Sequence, residues 1–338
     1  MGPLPPNAIN FNPYQIVIKF LCRIKCPSGC HTNILPYQCD KKCKGMCNQC
    51  GPNHEQLKYV YKSIAYIQCF RHYFCMCAKI VHCCDNNAIT IYNVHAINNF
   101  ILNGPFAWGT DSISLFNRVF VIGDNSCSSK VFELDMTTRS LLQKENMLKG
   151  KRTQTLCAGF SNIYSIGGYI RDATSNCQKY SIYKNKWMKL PDLSVARCHC
   201  AAFCFCFSEV YALGGWDGDN NLNTMEKINI RKPIKWNSVI IENPFSKRTG
   251  IQAIQISVSE VIVFGGVAKK FYNESYILHF EECGVYCKKS RNLQLKGEFQ
   301  ECPAPIFDGE NVYANNTEAL QIYSIKDKKW KIRKNDNK

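Results

Sequence analysis

From residue 71 to residue 335 the chain repeats one pattern of apolar and polar positions. A short apolar run is followed by a turn, a second apolar run ends in small residues, and two more amphipathic runs close the unit. The clearest copies of the second run are YSIGGY at 164–169, YALGGW at 211–216 and IVFGGV at 262–267, about fifty residues apart. Each is a β-branched or aromatic stretch leading into paired glycines, as expected of a buried strand that leaves its sheet through a positive-φ turn. Looser copies frame the series. FVIGDN at 120–125 keeps one glycine, while VYANNT at 312–317 and IVHCCD at 80–85 keep neither. Asp124, Asn315 and Asn316 tolerate left-handed backbone better than most residues, and Cys83 and Cys84 do not.

The unit from Arg197 shows all four pieces: CAAFCFC (200–206), EVYALGG (209–215), a run around MEKINI (225–230), and a fourth beginning at Trp236. The pattern predicts a four-stranded antiparallel meander in each unit. Trp187 and Trp330 recur at the fourth run of their own units, where a large ring can pack between neighbouring sheets. The unit around Gly265 and Gly266 has no tryptophan there; Tyr286 or Arg291 stands nearby, and Trp108 sits late in the first unit. Repeats of this length signal stacked or radial architectures.

These residues resemble the kelch-repeat family, marked by a strand ending in paired glycines and by a spaced tyrosine and tryptophan. The resemblance covers about four-fifths of the chain. It implies an all-β propeller whose sheets radiate from a central channel, and the frames predict six four-stranded blades over 71–335. Ahead of them lie an N-terminal segment (1–21), a cysteine-rich module (22–56) and a linker (57–70). The linker, LKYVYKSIAYIQCF, fits either an amphipathic helix or an extra strand.

The module is distinct in composition. Of 22 cysteines, twelve fall between Cys22 and Cys84. Cys26, Cys30, His31, Cys39, Cys43, Cys47, Cys50 and His54 offer ligands for one or two tetrahedral zinc ions, a structural role that would let a small segment with few large apolar residues fold. From His31 onward the ligand order resembles the B-box zinc finger family, although no second histidine follows His54 closely and no heptad run follows Leu57. The cysteines within alternating strands, such as Cys75, Cys77, Cys204 and Cys206, read as small buried hydrophobes.

Charge adds a partner class. The net charge of +16 favours an acidic protein segment, nucleic acid or an anionic surface, yet the basic residues look scattered, with local excess only at Lys19–Lys44 and Lys326–Lys338. No run approaches the roughly 18 apolar residues of a membrane span. The start MGPLPPNAINFNPY lacks a basic region leading into an apolar core, so a cytoplasmic or nuclear protein is expected. No GxSxG, phosphate-binding glycine loop or HExxH occurs, and the expectation is a binding module rather than an enzyme. Copper-radical oxidases also use a kelch propeller, but none of their ligands can be placed here. The sequons at Asn273 and Asn315 read as chance matches.

Binding residues of a propeller collect in the loops of its faces. Arg71, Arg152, Arg197 and Arg248 each precede a first strand, and the resemblance implies that arginines at this place hold acidic peptides. They could instead tie blades together through loop carbonyls. Arg171, Trp216 and Asp217, in the loops after the glycine pairs, fall on the same face. The expected function is a protein-interaction module recognising an acidic partner segment, with a ubiquitin-ligase-type adaptor as one setting.

Overall fold

The computed structural model describes residues 79–334, apart from 85–87, 94–99, 104–109, 294–303 and several turns of one to three residues; within 79–103 it describes the backbone only. The chain divides into two units, Met1–Cys75 and Met76–Lys338. Arg71, the linker 57–70 and the whole set of zinc-ligand candidates from Cys26 to His54 lie outside the described residues.

The described residues form β-sheets built from consecutive strands. Blade one contains β4 (Asp111–Leu115) to β7 (Ser140–Gln143), and blade two β8 (Thr155–Gly159) to β11 (Lys186–Lys189). Blade three runs from β12 (Ala201–Phe205) through β13 (Glu209–Trp216) and β14 (Asn221–Asn229) to β15 (Asn237–Val239). Blade four spans β17 (Thr249–Gln255), β18 (Glu260–Val267), β19 (Ser275–Glu281) and β20 (Gly284–Lys289), and blade five β21 (Ile306–Phe307) to β24 (Lys329–Lys334). In each blade the first to fourth strands are hydrogen-bonded neighbours in sequence order, an antiparallel meander, which is the arrangement of a β-propeller.

Burial falls from the second strand outward. All but the end residues of β18 are buried, whereas outer β7 is mostly exposed. This explains why the second strands read as continuous apolar runs while the fourth strands do not: the former have a sheet on each face.

The count of six four-stranded blades is corrected to five. Residues 79–103 form a three-stranded sheet of β1 (Lys79–Cys84), β2 (Ala88–Asn93) and β3 (Phe100–Asn103). Cys83 and Cys84, aligned in the sequence with the glycine pairs of blades two, three and four, are instead paired with Ile89 and Ala88 at the end of β1.

The tryptophans staple blades as expected. Trp187 is 1% exposed and donates its indole N–H to Glu145 O at 3.0 Å, on the chain between blades one and two; Phe120, Tyr180 and Trp187 form a ring stack across them. Trp236 donates to Pro191 O at 2.9 Å and Trp330 to Ser275 Oγ at 3.4 Å, each in a preceding segment. Such rings bury roughly 150–250 Å² each, an upper bound of about 4–6 kcal/mol.

Blade four, which lacks this tryptophan, is closed differently. β16 (Ile241–Glu242) leaves the side of blade three and pairs in parallel with β20, Ile241 opposite Val285. Ile241 and Phe245 then join a core with Phe203, Leu213, Ile251 and Leu278, and Phe205 stacks on Phe280 at 4.3 Å. Nothing in the periodicity marked a parallel fifth strand two residues long.

Among the described residues no helix is long and apolar enough to cross a membrane, and no group of three His, Cys, Asp or Glu side chains could hold a metal ion. Of the two sequon asparagines, Asn315 is 1% exposed and Asn273 is partly exposed.

Replacing Trp330 by Ala should lower stability by about 3–5 kcal/mol, because the hole between blades four and five cannot close. Trp330→Phe should cost much less, the indole N–H contact being long. Denaturant midpoints at unchanged slope measure both.

Candidate functional site: the glycine-turn face

In an antiparallel meander the second-to-third and fourth-to-first connections emerge on the same face. On that face, strand register identifies equivalent positions. Thr155, Ala201 and Gln252 pair respectively with Ile166, Leu213 and Phe264, the residues before the glycine pairs. Four residues earlier stand Lys151, Arg197 and Arg248. Lys151, not Arg152, is therefore the counterpart of the two arginines.

These three cations form a repeated lock. Arg197 is fully buried; its Nη1 donates to the carbonyls of Gly214 and Thr224, both at 3.1 Å, and its Nη2 to Glu226 Oε1 at 2.6 Å. Glu226 also accepts the N–H groups of Ser194 and Val195. Arg248, 1% exposed, reaches Gly265 O at 3.4 Å and Glu274 at 3.0 Å, and its guanidinium lies 3.8 Å from the Tyr272 ring. Lys151 donates to Asn176 O at 2.7 Å and Ser165 O at 3.4 Å. Each side chain thus satisfies carbonyls left over where the second strand of its own blade turns into the third.

The main chain completes the lock. Gly168 N–H donates to Arg197 O at 2.8 Å, and Gly215 N–H to Arg248 O at 3.2 Å, from one blade to the next. A Cβ on Gly167, whose φ is +58°, would stand 2.1 Å from Arg197 O, so glycine is required for the neighbouring blade to approach. The structure therefore places Arg197 and Arg248 within the blade walls, not at an open channel mouth.

Two residues after each lock cation the backbone is left-handed: Thr153 (φ 50°), His199 (φ 48°) and Gly250 (φ 63°). His199 N–H donates to Thr153 O at 3.1 Å and Gly250 N–H to His199 O at 2.8 Å, so this ledge links three blades around the channel. Below it, a cavity of about 40 Å³ is lined by Asp111, Thr153, Gln154, His199 and Gln252. Only water-sized groups fit such a space.

The rim is built by loops of adjacent blades. Arg152, partly exposed, lies over the Tyr169 ring at 4.7 Å. His199 beside it is kept neutral at physiological pH: burial first and the Arg152 charge second push its pKa down to about 4. Arg171 and Asp172 are exposed in the same loop, and the Asp172 carboxylate is 3.0 Å from where a Cβ on Gly218 would be, which joins this loop to the one bearing Trp216 and Asp217. Asp217 accepts the N–H groups of Asp219 and Asn220, and these bonds hold its carboxyl below the usual range. Cys127 Sγ lies 3.5 Å from Tyr169 O, extending the surface to blade one. The structure thus brings together Arg152, Arg171, Trp216 and Asp217. The sequence did not mark Lys151, because adjacent Lys151 and Arg152 allow two alignments and only strand pairing selects one, and Tyr169 and His199 join the rim through contacts between loops distant in the chain.

Residues 197–233 match the family model of the Kelch motif. That stretch is the lock arginine, the first three strands of blade three and the turn that follows. The match and the sheet arrangement together support a kelch-repeat propeller. No curated protein matches the chain. In kelch terms, the glycine pair and the basic residue at the head of the next unit are two halves of one contact.

Two outcomes test the lock. Glu226→Ala should destabilise by about 3–5 kcal/mol, since it leaves the fully buried Arg197 without its carboxylate. Lys151 differs by having carbonyl partners alone, and burial lowers its pKa from 10.5 to about 8. Between those values the unfolded chain holds the extra proton, so the contribution of Lys151 to stability rises with pH across that window. Below pH 8 the full cost of burying the charge, about 3 kcal/mol, is present. The stability difference between the parent and Lys151→Met should accordingly shift in the parent's favour from pH 8 to 10, in urea unfolding at each pH. A pH-independent difference would show that the ammonium is not buried as described.

Proposed function

We propose that the glycine-turn face binds a short acidic segment of a protein partner, and that the chain acts through binding rather than catalysis. A kelch propeller suits a protein-interaction module, and the geometry of Arg152 supports the finer reading. Its guanidinium is held over an aromatic ring but retains exposure, beside a histidine that stays neutral and so does not compete for the carboxylate. Arg171 supplies a second exposed cation, and Trp216 a partly exposed ring for an apolar neighbour in the segment. Arg197 and Arg248 support the surface from beneath. A substrate-adaptor role in a ubiquitin ligase is one assembly such a face would serve, with the cysteine-rich module contributing zinc-stabilised contacts.

The test is binding of labelled acidic peptides to the full chain, followed by anisotropy. Arg152→Ala should weaken the best binder about tenfold and Arg171→Ala several-fold, with unchanged melting temperatures. Affinity should fall as salt rises. Equal affinity of the parent and both variants would remove Arg152 and Arg171 from the site.

A further inference from the structure

The opposite face, made by the first-to-second and third-to-fourth turns, carries a different chemistry. Three third-to-fourth turns share one backbone form. The last residue of each is left-handed: Arg139 (φ 54°), Asn185 (φ 47°) and Lys328 (φ 51°). Asn185 suits this conformation and is pinned, its side-chain oxygen accepting Tyr180 O–H at 2.6 Å and Glu145 N–H at 3.1 Å. Among the described residues Lys328 has no such side-chain bond, and asparagine or glycine would take its place with less strain. A cation stands where turn chemistry favours another residue.

The tips combine charge with exposed apolar groups. In blade two, Tyr183 is 77% exposed beside Lys184 and Lys186; in adjacent blade three, Ile234 is 68% exposed between Lys232 and Lys235. Blade five adds Lys328 and Lys329. All six lysines are exposed, and none forms an ion pair among the described residues. Nearer the channel, the acids Glu209 and Glu260 are engaged by Lys227 at 2.9 Å and His279 at 3.4 Å. Blade four interrupts the series, with exposed Glu281 at its turn.

We propose that this face docks on an anionic phospholipid surface. Its lysines would meet the headgroups, and Tyr183 and Ile234 would enter the headgroup–acyl boundary. Charges on separate blades that all project from one face suit a plane. Apolar tips between lysines gain from an interface with an apolar interior, each lysine adding attraction to an acidic leaflet. A nucleic-acid strand would instead call for aromatic platforms along a basic track, and an isoleucine at a tip offers no base a stacking surface. The inference stands apart from the peptide reading, which uses the other face.

Sedimentation of the full chain with vesicles of phosphatidylcholine alone and of phosphatidylcholine with phosphatidylserine tests it. Binding should require phosphatidylserine and weaken with salt. Reversing Lys184, Lys186, Lys232 and Lys235 to Glu should reduce partitioning more than tenfold, at roughly fivefold per lysine lost near the surface. Tyr183→Ser with Ile234→Ser should reduce it several-fold while leaving its salt dependence, and Arg152→Ala should have no effect. All of these side chains are at least partly exposed, so folding should survive, and melting curves confirm it. Equal sedimentation with the two vesicle types, charge reversal without effect, or competition for these lysines by nucleic acid in the absence of vesicle binding would each overturn the proposal.

Discussion

The propeller depends on one bond that crosses from blade to blade: the N–H of a second glycine donating to the carbonyl of a buried basic residue in the next unit. The same basic residue then sends its side chain back over the strand end of its own blade. One residue type thereby solves two problems that a radial sheet creates. It satisfies carbonyls where a strand turns out of the sheet, and it fixes how closely neighbouring blades approach. The glycine matters for the space it leaves as much as for its φ, since at Gly167 the neighbouring carbonyl occupies the place of a side chain.

The lock is not equally strong around the ring. Blade three supplies a carboxylate that binds the guanidinium and two backbone N–H groups. In blade four, desolvation would raise the Glu274 pKa, but hydrogen bonds from Lys289, Arg248 and Tyr276 hold it down to about 2. Blade two has Gln178 at the position of Glu226, turned instead to the Lys149 backbone, so its ammonium rests on carbonyl dipoles alone. Buried thiols accompany these contacts. Burial raises the pKa of Cys177, Cys198 and Cys200, so they remain protonated packing groups rather than reactive ones.

Much of this was legible in the sequence, because paired glycines and apolar second strands report directly on a buried strand and its exit. The meander, the first two strands of blade three and the stapling role of Trp187, Trp236 and Trp330 follow from local patterning, whereas the third strand of that blade begins at Asn221, four residues before the run around 225–230. What stayed hidden was set by pairing between distant segments. Placing Lys151 under the glycines and Arg152 on the rim needs the register of β8 against its neighbour, and one residue's shift exchanges a wall residue for a contact residue. β16 was invisible because two residues carry no period. The cations of the opposite face looked scattered along the chain because the fold alone brings the third-to-fourth turns to one side.

The parallel strand β16 has a consequence for how the molecule comes apart. Its two residues are continuous with the edge of blade three yet bonded to the edge of blade four, so neither blade can peel from its outer side without dragging the other. The two should then open as a single cooperative unit, with hydrogen-exchange protection of β15 and β20 rising and falling together. Blades one and two are coupled by side chains instead: Asn185, Trp187 and Gln178 of blade two hold the backbone of Glu145 and Lys149, the run that leaves the edge of blade one.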